Sequence, residues 1–211
     1  ITGHTTDFCI TEFIQYNEKT SKVVKDMRFD HEGITFSCDP NYHNAQYPYG
    51  PYRRCIYGKD VFEYMFEYGL DFWRVYQQEK KLLFLDFINN HETSQEVVKY
   101  MDEPLAHFLE QFEKRGWLED TAILLYSDHG LHLPQLEVFD YYSIIMLERA
   151  LPTLFLVLPR NFSDQYRVVI KESQQKFVSA FTVFHTFITI AEAVGSSHFN
   201  SSLMGNLPSN T

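Results

Sequence analysis

Three apolar runs along the chain have the length and composition of buried β-strands. They cover residues 82–88, 121–127 and 151–158, and each ends in polar or turn-forming residues. Between the first two runs, apolar side chains recur at three- and four-residue intervals over residues 97–115, which predicts an amphipathic helix closed by Gly116. The pattern therefore alternates strand, helix and strand, which is typical of a parallel sheet with helical connections.

The flanking segments fit the same alternation. Helical spacing over residues 59–76 predicts another helix, with Gly69 as a candidate interruption, and residues 177–194 predict a last helix. A short β-prone run lies at residues 5–10, and residues 36–57 form an irregular, Cys-containing insertion rich in Pro, Tyr and Asn. We predict an α/β fold with a mostly parallel central sheet flanked by helices.

The bulk composition limits the possible classes of protein. A chain of 211 residues is long enough for one domain with a substantial core. It opens on Ile1 in a stretch typical of a domain interior, so we expect residues 1–211 to be a partial domain that is incomplete at its N-terminus. The net charge of −10 argues against a nucleic-acid partner, because such binding needs clustered Lys and Arg. No apolar run reaches the length of a membrane span.

Cysteines and glycosylation sequons favour a secretory, extracellular or luminal setting. Cys38 and Cys55 bracket the irregular insertion, where a disulfide would stabilise a segment that buries little. Asn161-Phe-Ser and Asn200-Ser-Ser are acceptors for glycosylation in a secreted protein. The alternative is a cytosolic protein with three unpaired cysteines and two chance sequons.

The best candidates for chemistry follow the predicted strands. Ser-Asp-His-Gly at residues 127–130 comes directly after an apolar run, and His91 follows the run at residues 82–88. Because ligands of open α/β sheets bind beyond the carboxyl ends of the strands, these side chains belong to the expected site. Asp128 and His129 offer the oxygen and nitrogen ligands of a divalent metal. The alternative is structural: the aspartate caps a turn, and each histidine contacts backbone or solvent.

Two further histidines are weaker candidates. His132 lies three residues beyond His129, within reach of the same site, where it could support a metal ligand indirectly. His185 lies among apolar residues of the last predicted helix, a position typical of a hydrogen-bonded core histidine.

Several strings resemble, in order, the motifs of the alkaline-phosphatase-like and sulfatase superfamily. Leu-Phe-Leu-Asp-Phe-Ile-Asn-Asn-His at residues 83–91 resembles its strand followed by a histidine. Gly-Trp-Leu-Glu-Asp-Thr-Ala-Ile-Leu-Leu-Tyr-Ser-Asp-His-Gly at residues 116–130 resembles its metal-site segment. Leu-Glu-Arg-Ala-Leu-Pro-Thr-Leu-Phe at residues 147–155 is similar to the eukaryotic branch called domain of unknown function 229, or DUF229. Weaker likenesses, to a late helix and the strand after it, lie at residues 182–190 and 201–203.

The resemblance implies a metal-dependent hydrolase or transferase acting on phosphate or sulfate esters. Asp128 and His129 would be metal ligands, and His91 would contact the oxygens of the transferred group. An imidazole ligand favours zinc or manganese over calcium. In the superfamily the nucleophile and an acidic ligand lie N-terminal to the part seen here, so we expect this fragment to be inactive alone. The ester could belong to a glycan or to a lipid head group.

Two alternatives remain open. The chain could be a non-catalytic secreted relative that keeps the fold as a binding or scaffold domain. It could also be an α/β domain without any metal. The sequence upstream of Ile1 and metal analysis of the full-length protein would separate these possibilities.

Overall fold

The computed structural model describes residues 1–7, 29–33, 55–91, 96–130, 146–147, 149–165, 167–174 and 176–193. The chain divides into two compact units. The first comprises residues 1–117 and 126–154, and the second comprises residues 118–125 and 155–211. The candidate residues Asp128, His129 and His91 all belong to the first unit.

A three-stranded parallel sheet organises the first unit. Strand β1 (Thr2–Thr6) lies between β2 (His31–Glu32) and β5 (Leu82–Asp86). Its register with β5 pairs Thr2 with Leu82 and Thr6 with Asp86, so both strands end at the same edge. The α/β class with a parallel sheet and helices is confirmed.

The first strand differs from its predicted position. It begins at Thr2 and ends at Thr6, whereas the sequence predicted a strand over residues 5–10. Its inward-facing residues are small or polar: Gly3 and Thr5 are buried, although neither is apolar. The apolar residues in this part of the sequence therefore predict the strand too far towards the C-terminus.

Helix α1 (Val61–Val75) packs against this sheet. It follows a hairpin of β3 (Cys55–Ile56) and β4 (Lys59–Asp60), and its N-terminus is closed by a capping box between Asp60 and Glu63. Gly69 does not interrupt the helix. A Cβ atom there would lie 3.0 Å from Cε2 of Phe108, so the glycine allows the next helix to approach closely.

Helix α2 covers the predicted segment in two parts. A 3₁₀ turn at Val97–Met101 continues into α2 (Asp102–Lys114), with Pro104 in the first turn, where proline is tolerated. Gly116 follows with φ of +71°, a conformation that favours glycine, so the predicted stop is confirmed. A short 3₁₀ turn at Trp117–Glu119 comes next.

The core of the first unit is aromatic. Phe62, Phe66 and Phe72 of α1 are buried, as are Phe108 and Phe112 of α2. The ring of Phe66 lies 5.1 Å from that of Phe108, and the ring of Phe108 lies 4.7 Å from that of Phe112. This packing holds the two helices together.

The second unit holds most of a two-stranded sheet, β6 (Ile123–Tyr126) with β7 (Leu154–Val157). Helices α3 (Arg160–Gln165), α4 (Arg167–Ser173) and α5 (Ala180–Ala193) follow. No helix within the described ranges is both long enough and apolar enough to cross a membrane.

Two expectations about burial in this part of the chain are wrong. Strand β7 was predicted to be buried, yet its four residues are 36% to 62% exposed. Burial needs a packing layer on each face, and apolar composition alone does not supply one. His185 is exposed on α5 and is not part of a core, although Ile188, three residues further along the same helix, is buried.

Candidate metal site at the end of strand β6

The Ser-Asp-His-Gly segment leaves β6 in a well-defined turn. The Ser127 amide donates to the Thr153 carbonyl oxygen at 3.0 Å, and the Thr153 amide donates to Ser127 Oγ at the same distance. Further along, the Gly130 amide donates to the Arg149 carbonyl oxygen at 3.4 Å. These bonds fix the backbone on both sides of Asp128 and His129.

The side chains of Asp128 and His129 lie close together in this turn. Oδ1 of Asp128 accepts from the His129 amide at 2.9 Å, and Oδ2 lies 3.3 Å from Nε2 of the imidazole. The other ring nitrogen, Nδ1, lies 2.7 Å from the Gly130 carbonyl oxygen. Because a carbonyl oxygen can only accept, Nδ1 carries a proton in this arrangement. A neutral ring in this tautomer presents the lone pair of Nε2 beside a carboxylate oxygen.

His91 lies at the carboxyl end of a different strand. Strand β5 ends at Asp86, and a 3₁₀ turn at Ile88–Asn90 leads to His91, whose amide donates to the Ile88 carbonyl oxygen at 2.8 Å. The imidazole is half-buried. The structure thus places His91 beyond a parallel strand, as the sequence predicted.

The candidate metal-binding residues that the structure describes do not make up a complete ligand set. Within the part of the chain that the structure describes, no group of three His, Cys, Asp or Glu side chains could hold one metal ion. His91 therefore does not complete a three-ligand set with Asp128 and His129. His132 and Cys38 lie outside the described residues, as does Asn200, so the predictions made for them are not tested. Cys55 lies exposed in the β3–β4 hairpin.

Comparison with known proteins identifies a family. The model of a family described as "Protein of unknown function (DUF229)" matches residues 13–203. The chain belongs to the DUF229 family. Neither a curated protein nor a solved structure matches it. The predicted likeness to DUF229 is therefore confirmed.

Two titratable residues of this DUF229 chain that the sequence did not single out, Asp86 and His4, interact with each other, and Asp86 also interacts with Asp128. Burial raises the pKa of the Asp86 carboxyl, the negative charge of Asp128 raises it further, and His4 opposes the shift. His4, on β1, is stacked on Phe29 with ring centroids 5.1 Å apart. Burial lowers the His4 pKa, against the opposing charges of Asp86 and Glu32. Asp86 therefore interacts electrostatically with both His4 and Asp128.

A third residue, Asp7, was also missed. It follows β1 directly, is only 4% exposed, and holds the turn after β5 through its carboxylate. The rule that pointed to Asp128, a polar residue at the carboxyl end of a strand, would have found it. The β-prone run at residues 5–10 predicts Asp7 inside the strand, whereas the structure places it directly after the strand.

The geometry of the Asp128–His129 pair of the DUF229 chain suits a divalent metal. Two ligands of a tetrahedral metal, each at about 2.0–2.2 Å, are separated by roughly 3.3–3.6 Å. The separation between Oδ2 and Nε2 is 3.3 Å. The Gly130 carbonyl oxygen, by accepting from Nδ1, is the kind of outer contact that fixes the tautomer and orientation of a ligating histidine. A mixed oxygen and nitrogen pair suits zinc or manganese better than calcium.

Proposed function

We propose that this DUF229 protein is a metal-dependent hydrolase or transferase of phosphate or sulfate esters, built on an alkaline-phosphatase-like fold. The observation that carries the proposal is the Asp128–His129 pair, whose Oδ2 and Nε2 atoms lie 3.3 Å apart. Two lone pairs this close need a proton or a cation between them. The superfamily resemblance of residues 116–130 and the position of the pair beyond a strand support a metal cation.

Within this proposal, each described residue has a distinct task. Asp128 and His129 would hold zinc or manganese, which when bound polarises the ester oxygens and activates a nucleophile. The hydrogen bonds of Ser127 and Gly130 keep the two ligands in place. Asp86 interacts electrostatically with Asp128, and in its ionised form it would make this position more favourable for a cation.

His91 would act on the substrate rather than on the metal. Its imidazole can donate a hydrogen bond to an oxygen of the phosphoryl or sulfuryl group, and so stabilise the charge that develops during transfer. The substrate class is a phosphate or sulfate ester of a glycan or a lipid head group.

A secretory setting forms part of the proposal. The sequon at Asn161 lies in α3, and glycosylation there would require passage through the secretory pathway. Removal of N-linked glycans from protein secreted by eukaryotic cells should increase its electrophoretic mobility. An unchanged mobility in both wild type and Asn161→Gln would contradict glycosylation at this residue.

The proposal is tested by metal analysis of the full-length protein. Wild type should bind zinc or manganese stoichiometrically, and Asp128→Ala and His129→Ala should each weaken metal affinity by about a hundredfold or more, because each removes a ligand. His107→Ala is the matched control, since His107 is an exposed histidine on α2 whose removal leaves the site intact. Hydrolysis of p-nitrophenyl phosphate and p-nitrophenyl sulfate, measured in parallel, reports the reaction class.

The outcomes separate the alternatives. Metal bound by wild type and His107→Ala but lost in both site variants supports the proposal. Stoichiometric metal retained by Asp128→Ala and His129→Ala contradicts the site. Wild-type protein without bound zinc, manganese or calcium would instead indicate a non-catalytic relative that serves as a binding or scaffold domain.

A further inference from the structure

The turn that carries His91 is held by a residue from a different strand. Oδ1 of Asp7 accepts a hydrogen bond from the Ile88 amide at 2.7 Å. The Asp7 amide donates to the Asp86 carbonyl oxygen at 3.2 Å. Asp7 thus binds the chain on both sides of Phe87, where β5 ends and the 3₁₀ turn begins.

Two hydrogen bonds that share Ile88 link Asp7 to the backbone of His91. The Ile88 amide donates to Asp7, and the Ile88 carbonyl oxygen accepts from the His91 amide at 2.8 Å. Loss of the hydrogen bond from Ile88 to Asp7 would therefore make Ile88 more mobile, and the backbone of His91, which is bonded to Ile88, would become more mobile with it. A bond to a carboxylate is shorter and stronger than one between neutral groups, and the distance of 2.7 Å agrees with this.

A second anchor holds the same turn from the apolar side. The ring of Phe87 lies 5.0 Å from that of Phe66 and 5.5 Å from that of Phe62, both on the buried face of α1. The aromatic anchor fixes the start of the turn against the core. The polar anchor, which is the carboxylate of Asp7, instead binds the amide of Ile88, one residue closer to His91.

We propose that Asp7 is a positioning residue for His91: its carboxylate sets the backbone of the turn so that the imidazole lies where substrate oxygens bind. This role rests on the proposed function of His91. It assigns a task to a buried acidic side chain that is 4% exposed, a location that is costly for a carboxylate unless hydrogen bonds satisfy it.

The test compares three variants of the full-length protein. Asp7→Ala removes the acceptor, whereas Asp7→Asn keeps an acceptor oxygen at nearly the same place. Thr5→Val is the matched control: Thr5 is a buried polar residue of the same strand, whose hydroxyl donates to the Gly33 carbonyl oxygen and not to the turn. All three variants are first compared by thermal unfolding.

Hydrogen–deuterium exchange of a peptide that contains Phe87 to His91 is the first measurement, made without metal. We expect exchange of the Ile88 amide to accelerate by roughly tenfold to a hundredfold in Asp7→Ala, the range expected for loss of one hydrogen bond to a charged group. Asp7→Asn should recover most of the protection. Thr5→Val should leave this peptide unchanged even if it lowers the melting temperature.

Binding of inorganic phosphate to the metal-loaded protein, measured by calorimetry, is the second measurement. Asp7→Ala should weaken phosphate binding about tenfold in the wild-type background. In a His91→Ala background, Asp7→Ala should not weaken phosphate binding further, because both substitutions remove the same contact between His91 and phosphate. If Asp7→Ala acted only by destabilising the protein, it would weaken phosphate binding equally in the wild-type and His91→Ala backgrounds.

Each outcome decides the inference. Unchanged exchange of the turn in Asp7→Ala would overturn it, and so would full phosphate affinity in Asp7→Ala when His91→Ala lowers that affinity. If His91→Ala itself leaves phosphate affinity unchanged, the proposed function of His91 is contradicted. The exchange measurement then still decides whether Asp7 holds the turn.

Discussion

Replacing Gly3 with alanine should destabilise the first unit by forcing a methyl group against an immobile ring. An ideal Cβ at Gly3 would lie 2.7 Å from Cε2 of Phe72 and 2.9 Å from Cδ1 of Leu83. The first distance is about 0.7 Å below that of ordinary van der Waals contact. The leucine methyl can move aside by rotation, whereas the phenylalanine ring cannot do so easily.

The surroundings of Phe72 explain why it resists displacement. The residue is 5% exposed. Its ring is bordered by four others: Tyr76 at 5.1 Å, His31 at 6.0 Å, Trp73 at 6.2 Å and Tyr68 at 6.4 Å between centroids. Overpacking a core of this kind costs about 1–3 kcal/mol. Alanine recovers roughly 0.4–1 kcal/mol by restricting the unfolded chain, so the net loss should be about 1–2 kcal/mol.

Urea denaturation measures this loss as a lower midpoint, by roughly 0.5–1 M for a typical dependence on urea. The double variant Gly3→Ala with Phe72→Leu is the decisive control, because leucine lacks the atoms that meet the new methyl group. Its free energy of unfolding should exceed the additive expectation by about 1 kcal/mol. Strict additivity, or a Gly3→Ala variant as stable as wild type, would refute the proposed clash.

Two further predictions concern charge and packing. The pKa of Asp86 is raised above its unfolded value, so its stabilising contribution is complete below the unfolded pKa and is lost as the pH rises through the folded pKa. Because the Asp86 side chain is exposed at the end of β5, solvent screening keeps this effect small. Asp86→Asn should therefore melt like wild type at acid pH and slightly higher at neutral pH; a lower melting temperature at neutral pH would contradict this. Phe112 is 2% exposed and its ring lies 5.1 Å from Trp117, so Phe112→Ala should cost about 3–5 kcal/mol, and Phe112→Leu less. Tryptophan fluorescence during denaturation would measure the loss of stability in Phe112→Ala and in Phe112→Leu. A loss below about 1 kcal/mol in Phe112→Ala would be inconsistent with this core.

The longer elements could be predicted because their apolar spacing is regular. Helices α1 and α2 and strand β5 follow the predicted periodicities, and the helix stop at Gly116 follows from backbone sterics. Strand β1 could not be located from apolar residues, because threonine and glycine fill its inward positions. The exposure of β7 could not be predicted either, because an apolar composition indicates a strand but does not show whether other elements pack against its faces.

The candidate site was predictable only where residues adjacent in sequence form it. Asp128 and His129 meet because one turn carries both. The approach of Asp86 to Asp128 joins segments 42 positions apart, and the bond from Asp7 to Ile88 joins residues 81 positions apart. Register between the parallel strands β1 and β5 creates the bond from Asp7 to Ile88, and no local pattern in the sequence encodes that register.

The two anchors of the turn after β5 also affect how the protein would bind a ligand. Phe87 is held by rings of α1 and Ile88 by Asp7, so the backbone before His91 is ordered when the protein folds. The conformational entropy of this turn, about 1–2 kcal/mol for each residue fixed, is lost in folding and not again in binding. The site is in this sense preorganised, and a ligand that contacts His91 keeps that part of its binding energy. The same rigidity narrows the range of ligand shapes that the turn can accommodate.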